Sequence, residues 1–309
     1  MIHFLKLIRV INLIIIIFTM IGVADYLLLT HSYQYVEFNR MDYILLIISI
    51  VFIAAGGNMI NDYFDLKADR INKPHRVIVE KFIKKRWVII LHWLINVTAL
   101  LISIYLSYKY KTLLFVFIHL ISINALWFYS TYIKRKLFIG NLIIALLTGL
   151  VPILAVWYFQ ILNESGLEHS PYHKETWSVF LNYNYIYFIA ISAFLINLAR
   201  EIIKDSQDIE GDKHIGVKSI PMKLGLKKAN IIALLFLQIP TIIGYLLYSN
   251  SYFEIYNYEW IFLLCSASIN LMIMAVYVIF DTKNLKTIHL FIKLSMFIGL
   301  LSLFSPFIK

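Results

Sequence analysis

Nine runs of about twenty apolar residues recur along the chain, and they restrict it to very few folds. They cover 9–29, 42–60, 87–107, 112–133, 137–160, 183–203, 229–248, 258–280 and 287–307. A helix needs roughly 20 apolar residues to cross the hydrocarbon core of a bilayer. Inside that core every backbone N–H and C=O must be satisfied within the chain, which a helix does and an open strand does not. The expected fold is therefore an all-α membrane protein with nine transmembrane helices. The composition agrees: 61% of the 309 residues are hydrophobic and 15% charged, against about half and a quarter in a soluble domain. Lys6 and Arg9 ahead of the first run imitate a secretion signal. That run is long for a signal core and eight more follow it, so it is read as helix one.

The charges orient these spans. With the N-terminus inside, the inner segments carry 22 of the 28 lysines and arginines, and the outer segments carry 5. This asymmetry is the positive-inside pattern. It accounts for the net charge of +10 as ordinary cytoplasmic loops, with no call for a nucleic-acid partner. The single cysteine, Cys265, lies inside a run, so an internal disulfide or a cysteine-based metal centre is excluded; it is expected in the core.

Two inner loops are long, 61–86 and 204–228. They lie four helices apart, as in a duplicated four-helix unit, and no segment resembles a separate soluble domain. The chain is thus expected to form one domain over 1–309 with two four-helix-like halves. Gly56 and Gly57 precede the first long loop and either let a neighbouring helix approach closely or permit a bend.

Six of the nine aspartates fall in these loops: Asp62, Asp65 and Asp69, then Asp205, Asp208 and Asp212. Asn61, Asp65 and Asp69 are spaced i, i+4, i+8 and share one helix face; Asp205, Asp208 and Asp212 are spaced i, i+3, i+7 and are expected to share another. Like charges on one face repel, and near a membrane they also lose solvation. A chain that accepts this twice is expected to bind cations there. Mg²⁺ takes oxygen ligands, commonly one or two carboxylates together with substrate phosphates. Arg70, Lys73 and Arg76 follow the first cluster; Arg200 and Lys204 precede the second, and Lys213 and Lys218 follow it. Cations beside a diphosphate neutralise the charge that develops on a leaving group. The plainer alternative is acid–base pairing on solvated helices. A cation-binding transporter is the rival from another class, but transporters place such groups near mid-membrane, whereas these lie at the ends of spans.

The stretch Asn61-Asp62-Tyr63-Phe64-Asp65 to Asp69, continuing through Asn72-Lys73-Pro74-His75-Arg76, resembles the first motif of UbiA-type intramembrane prenyltransferases. Arg200-Glu201-Ile202-Ile203-Lys204-Asp205 to Asp208, then Gly211-Asp212 and Gly216-Val217-Lys218, resembles the second. Tyr129-Ser130, Lys134-Arg135 and Gly140-Asn141 resemble the segment between helices four and five. The resemblance implies nine helices around a central cavity that opens to lipid, with a polar cap on the cytoplasmic side of a bacterial or archaeal-type cell membrane. It implies that Asp65, Asp69, Asp208 and Asp212 hold Mg²⁺ and that Asn61 positions the diphosphate or its metals. Lys73, Arg76, Lys134, Arg135 and Lys204 become candidates for diphosphate contact. Asp205 either binds metal or orients Lys204. Asn12 would keep a diphosphate-binding role, although Arg9-Val10-Ile11-Asn12 lacks the proline the family often carries there. His75 and His214 flank the motifs as loop residues or phosphate contacts. The implied reaction is transfer of a prenyl group from an allylic diphosphate to a lipophilic acceptor. The motif pairing is most similar to the branch acting on geranylgeranylglycerol phosphate; prenylation of an aromatic quinone precursor is the alternative.

Overall fold

The computed structural model describes residues 2–30, 38–167, 176–214, 216–249, 257–280 and 285–307. Twelve α-helices are found among them: α1 (Ile2–Leu7), α2 (Val10–Thr30), α3 (Arg40–Asn72), α4 (Lys85–Lys109), α5 (Leu114–Thr131), α6 (Ile139–Leu167), α7 (Thr176–Gln207), α8 (Ile209–His214), α9 (Ile220–Leu224), α10 (Leu226–Ser249), α11 (Asn257–Phe280) and α12 (Leu285–Leu301). Short 3₁₀ turns occupy Pro74–Arg76, Ile133–Arg135 and Ser302–Phe307. The fold is all-α, as expected. Among the described residues, eight helical segments are long and apolar enough to cross a membrane; in the one remaining predicted span, 258–280 on α11, the described apolar stretch is the shorter Ile261–Tyr277. Large apolar side chains such as Trp93, Leu94 and Leu101 on α4 are exposed. That much exposed apolar surface needs lipid rather than water, and the chain is an integral membrane protein.

The chain divides into two compact units. The first comprises Met1–Phe18, Phe38–Ile143 and Asp208–Ser219; the second comprises Thr19–Glu37, Ile144–Gln207 and Ile220–Lys309.

In the first unit, α3 packs against α1, α4, α5 and α8. Leu7, Met59, Leu66, Ile78, Val79 and Val88 form a buried core beside the first acidic motif. The glycine pair permits close approach: a Cβ on Gly56 would lie 2.8 Å from Asn96 Nδ2, and one on Gly57 would lie 2.8 Å from Leu126 Cδ1. Polar ties within the apolar layer include Ser49 Oγ to His119 Nε2 at 2.7 Å and His92 Nδ1 to the Gly56 carbonyl at 2.9 Å.

α3 runs well past the end of its apolar run. The segment expected as a loop from residue 61 stays helical through Asn72, because no breaker intervenes before Pro74. Proline disfavours the helical region for the residue before it. Lys73 accordingly sits at φ −146°, ψ 57°, and its N–H closes the helix on the Asp69 carbonyl at 2.9 Å.

In the second unit, α7 packs against α10 and α12, and α11 packs against α10 and α12. Buried hydrogen bonds join the helices: Tyr185 Oη to Ser302 Oγ at 2.6 Å, Ser206 Oγ to Asn230 Oδ1 at 2.8 Å, and Ser295 Oγ to Asn270 Oδ1 at 2.6 Å. Such bonds hold helices together where lipid supplies no hydrophobic drive between them. Cys265, expected in the core, is exposed on α11. A helix that is apolar all round carries no stripe to tell its lipid face from its packed face.

Candidate active site

The long extension of α3 builds the first half of the site. Asn61 and Asp65 are buried on it, one turn apart, and Asn61 Nδ2 donates to Asp65 Oδ2 at 2.8 Å. Asp65 Oδ2 also accepts from Lys134 Nζ. Lys134 comes from the 3₁₀ turn after α5. Burial disfavours its ammonium, but Asp65, Tyr129 and Asp212 more than offset that, and the lysine titrates above its ordinary range. Lys134 is thus a fixed cation reached by a carboxylate from each acidic motif. Asp69, one turn beyond Asp65 and half-buried, lies within electrostatic reach of Asp62, Asp65, Lys73 and Lys134.

The second half comes from α8. Asp205, Asp208 and Asp212 do not share one helix as the spacing predicts. α7 ends at Gln207, Asp208 is a bend, and α8 begins at Ile209. The break lets Asn72, at the end of α3, act on two backbone groups at once. Its Nδ2 donates to the Asp208 carbonyl at 2.9 Å, and its Oδ1 accepts from the Gly211 N–H at 2.7 Å. Gly211 is needed for that contact, since a Cβ there would stand 2.5 Å from Asn72 Nδ2 and 2.7 Å from the Ala68 carbonyl. Lys73 Nζ reaches both carboxylate oxygens of Asp208, at 2.6 and 2.7 Å. Asp212 is buried, and its N–H caps back onto the Asp208 carbonyl at 3.1 Å.

Asn61, Asp65, Asp69, Lys73, Lys134, Asp208 and Asp212 are therefore gathered in the first unit. Lys204 and Asp205 belong to α7 in the second unit, where Lys204 Nζ lies 3.4 Å from buried Glu201. Arg135 is exposed, and its carbonyl accepts from the Lys218 N–H at 3.1 Å. Arg76 ends the 3₁₀ turn after Pro74; its side chain lies outside the described residues. His75 and His214 are exposed. Asn12 is half-buried in the first turn of α2. The missing proline is replaced by a different break: Arg9 takes φ 55° between α1 and α2, and its guanidinium pairs with Asp62 at 2.7 Å.

Two contributors were given no role by the sequence, Arg9 and Asn72, although Asn72 stands in the first motif's stretch. Asn72 carries a signal, standing three residues after Asp69 and so on its face. The Arg9–Asp62 pair spans 53 positions and leaves no local trace.

The donor set fits Mg²⁺. It consists of carboxylates and an amide, all hard oxygen donors. Among the described residues no three acidic, histidine or cysteine side chains converge on one point.

A profile of the UbiA prenyltransferase family matches residues 15–301. The digeranylgeranylglyceryl phosphate synthase of Thermococcus sibiricus is 33% identical over 204 residues, 66% of this chain and 63% of that protein's length. A solved structure described as digeranylgeranylglyceryl phosphate synthase in membranes is 28% identical, with a TM-score of 0.63 over 98% of this chain and 97% of that one. A UbiA homolog from Archaeoglobus fulgidus bound to GPP and Mg²⁺ shares the fold, with a TM-score of 0.57 at 15% identity, covering 97% of this chain and 99% of its own. On the match over 15–301, with these helices and these motifs, the chain belongs to the UbiA prenyltransferase family.

Proposed function

We propose that this protein transfers a prenyl group from an allylic prenyl diphosphate to a glyceryl ether lipid that bears a phosphate. One observation carries the reading: Asn72, Lys73 and Lys134 tie the Asp65–Asp69 and Asp208–Asp212 carboxylates into one polar cluster at the end of an apolar helix. The whole chain, 1–309, acts as one transferase domain. The cluster faces the cytoplasm together with the N-terminus, as the 22-to-5 partition of basic residues supports.

Asp65, Asp69, Asp208 and Asp212, all in the first unit, would hold Mg²⁺. When bound there, Mg²⁺ would supply charge neutralisation at the diphosphate, a contribution of several kcal/mol in comparable chemistry. Asn61 holds Asp65 in place. Lys73 and Lys134 keep the cluster from carrying a full set of unopposed negative charges, and with Arg76 and Arg135 they meet the diphosphate oxygens. Asn12 stands with them at the diphosphate. The isoprenoid tail lies among apolar helices. The C1–oxygen bond breaks, and the diphosphate leaves with the bonding pair. The acceptor hydroxyl oxygen then bonds to C1 and loses its proton. Water-poor surroundings protect the allylic cation from hydrolysis.

The glyceryl phosphate acceptor is supported by the relatives' name and by the motif pairing. Membranes carrying the protein, given radiolabelled geranylgeranyl diphosphate, Mg²⁺ and a panel of acceptors, should prenylate geranylgeranylglyceryl phosphate in preference to an aromatic quinone precursor. Asp65→Ala and Asp208→Ala should insert normally and form no product. Full turnover by either variant would overturn the reading.

A further inference from the structure

In the first unit the N-terminal helix does not run on into the first span. Arg9 breaks the chain between α1 and α2 at φ 55°, and α3 takes hold of the junction. Asn58 Nδ2 donates to the Ile8 carbonyl at 3.0 Å, and one turn further on Asp62 pairs with Arg9 at 2.7 Å. α1 is thereby laid against the segment that follows the first acidic motif. His3 stacks flat on Phe82, with ring centroids 3.6 Å apart and an interplanar angle of 10°. Residues 78–83 fold back tightly: the Glu80 N–H donates to the Ile83 carbonyl at 2.7 Å, and the Phe82 N–H donates to the Ile78 carbonyl at 2.9 Å. Lys84 then stands at the N-cap of α4. On the inner side of this assembly Leu7, Ile78, Val79 and Val88 share one buried core with Met59 and Leu66 of α3.

The outer side carries two kinds of side chain. Ile2, Leu5, Phe82 and Trp87 are exposed, Phe82 at 52% and Trp87 at 51%. Lys6, Lys81, Lys84 and Arg86 are exposed beside them. Cations and rings adjoin: Lys81 Nζ lies 5.5 Å from the Phe82 centroid, and the Arg86 guanidinium lies 6.0 Å from that of Trp87. Glu80 is the one carboxylate in 77–87, and it is taken by Arg70 at 3.1 Å and Lys85 at 3.5 Å. The four exposed cations therefore have no carboxylate partner among the described residues.

Neither water nor hydrocarbon suits this face. Water would leave the rings and aliphatic side chains stranded, and hydrocarbon would strand the cations. The headgroup layer satisfies both. Trp87 stands in the first turn of the apolar helix Lys85–Lys109, where rings sit at headgroup level and basic side chains lay their stems on apolar surface and extend their heads to polar groups. Four unopposed cations favour a surface of net negative charge. We infer that this face of the first unit binds the acidic headgroups of the lipid leaflet around it. Phe82 and Trp87 lie in the interface, and Lys6, Lys81, Lys84 and Arg86 meet lipid phosphates. Bound lipid clamps α1 and the 78–83 turn onto the core that contains Leu66, the neighbour of Asp65. The surface uses none of the residues assigned to the diphosphate.

The test places the full chain in phosphatidylcholine vesicles containing some phosphatidylglycerol, with bromine on the acyl chains of one lipid or the other. The chain has six tryptophans, so the Trp87 signal is the fluorescence difference between wild type and Trp87→Phe. Per mole of lipid, brominated phosphatidylglycerol should quench Trp87 at least about threefold more than brominated phosphatidylcholine. Raising the ionic strength to about 0.5 M should remove most of that preference. The combined variant Lys6→Gln, Lys81→Gln, Lys84→Gln and Arg86→Gln should lose it at low salt. Removing three exposed lysines of the second unit, by Lys223→Gln, Lys227→Gln and Lys228→Gln, should leave it unchanged. Equal quenching by the two lipids in wild type would overturn the inference. So would a Trp87 shielded from both lipids, which would place protein on this face, or a preference that survives salt and the combined variant. No readout uses turnover, so failure here leaves the proposed function standing, and failure of that function leaves this surface standing.

Discussion

Asn72 holds Asp208 by its main chain: Nδ2 of the asparagine donates to the aspartate carbonyl at 2.9 Å, between positions 136 residues apart. The same side chain accepts from Gly211 N–H at 2.7 Å. Both acidic motifs therefore depend on one amide. Asn72→Leu removes both bonds and strands the Gly211 N–H, at a cost of about 1–3 kcal/mol, while the Asp208 carbonyl keeps the Asp212 N–H. Prenyl transfer should fall about tenfold or more, with the Mg²⁺ concentration for half-maximal rate raised, while helix content by circular dichroism is unchanged. A normal Mg²⁺ dependence in this variant would argue that Asn72 does not position the second motif.

Two glycines a few residues apart should respond differently to the same substitution. Gly211→Ala drives a Cβ to within 2.7 Å of the Ala68 carbonyl, a backbone atom that cannot turn aside, so α8 must shift from α3. Activity and melting temperature should both drop. At Gly216 the added Cβ meets nothing within 4 Å, and only its φ of +73° resists. That strain is worth about 1 kcal/mol, so Gly216→Ala should keep most activity. Parallel melting curves and turnover rates decide the comparison.

The Lys134–Asp65 pair makes a pH prediction. Lys134 titrates above the ordinary lysine value of 10.5 in the folded protein. A raised folded pKa means the folded state holds the proton more tightly, so the stabilisation is fully present below 10.5 and is lost as pH rises through the folded value. The melting-temperature difference between wild type and Lys134→Met should be flat from neutral pH to about 10 and change only above it. Asp65→Ala leaves the buried lysine without its carboxylate and should cost about 3 kcal/mol or more; Asp65→Asn, which keeps a hydrogen-bond acceptor, should cost less while still abolishing turnover. A midpoint near neutral pH would contradict the assignment.

At the N-terminal end of α3, Asp42 is 2% exposed and accepts from Lys109 Nζ at 2.5 Å and from Tyr110 Oη at 2.6 Å. The contact ties the start of α3 to the end of α4. Asp42→Ala strands a half-exposed lysine and a phenol and should destabilise by about 2 kcal/mol. The KM for prenyl diphosphate should stay unchanged in the fraction that folds. Urea titration in mild detergent with matched kinetics separates these effects.

The membrane fold was legible in sequence because crossing a bilayer demands length and apolarity, and those are local properties. The first motif was legible for the same kind of reason: Asn61, Asp65 and Asp69 sit on one continuous helix, so spacing fixes their face. The second motif was legible in composition and misread in geometry. Asp205 and Asp208 lie three residues apart, yet a bend at Asp208 separates α7 from α8 and assigns the two aspartates to different units. Spacing arguments assume an unbroken helix, and here the chain bends at Asp208, whose carbonyl takes a long-range hydrogen bond from Asn72. The exposed position of Cys265 and the Arg9–Asp62 pair depend likewise on packing partners distant in the chain. Sequence alone therefore determined that this is a helical membrane protein with two acidic motifs, because periodicity and hydropathy act over a few turns. Which lysine meets which carboxylate was decided only by the tertiary structure, because pairing between helices depends on register that no single segment encodes.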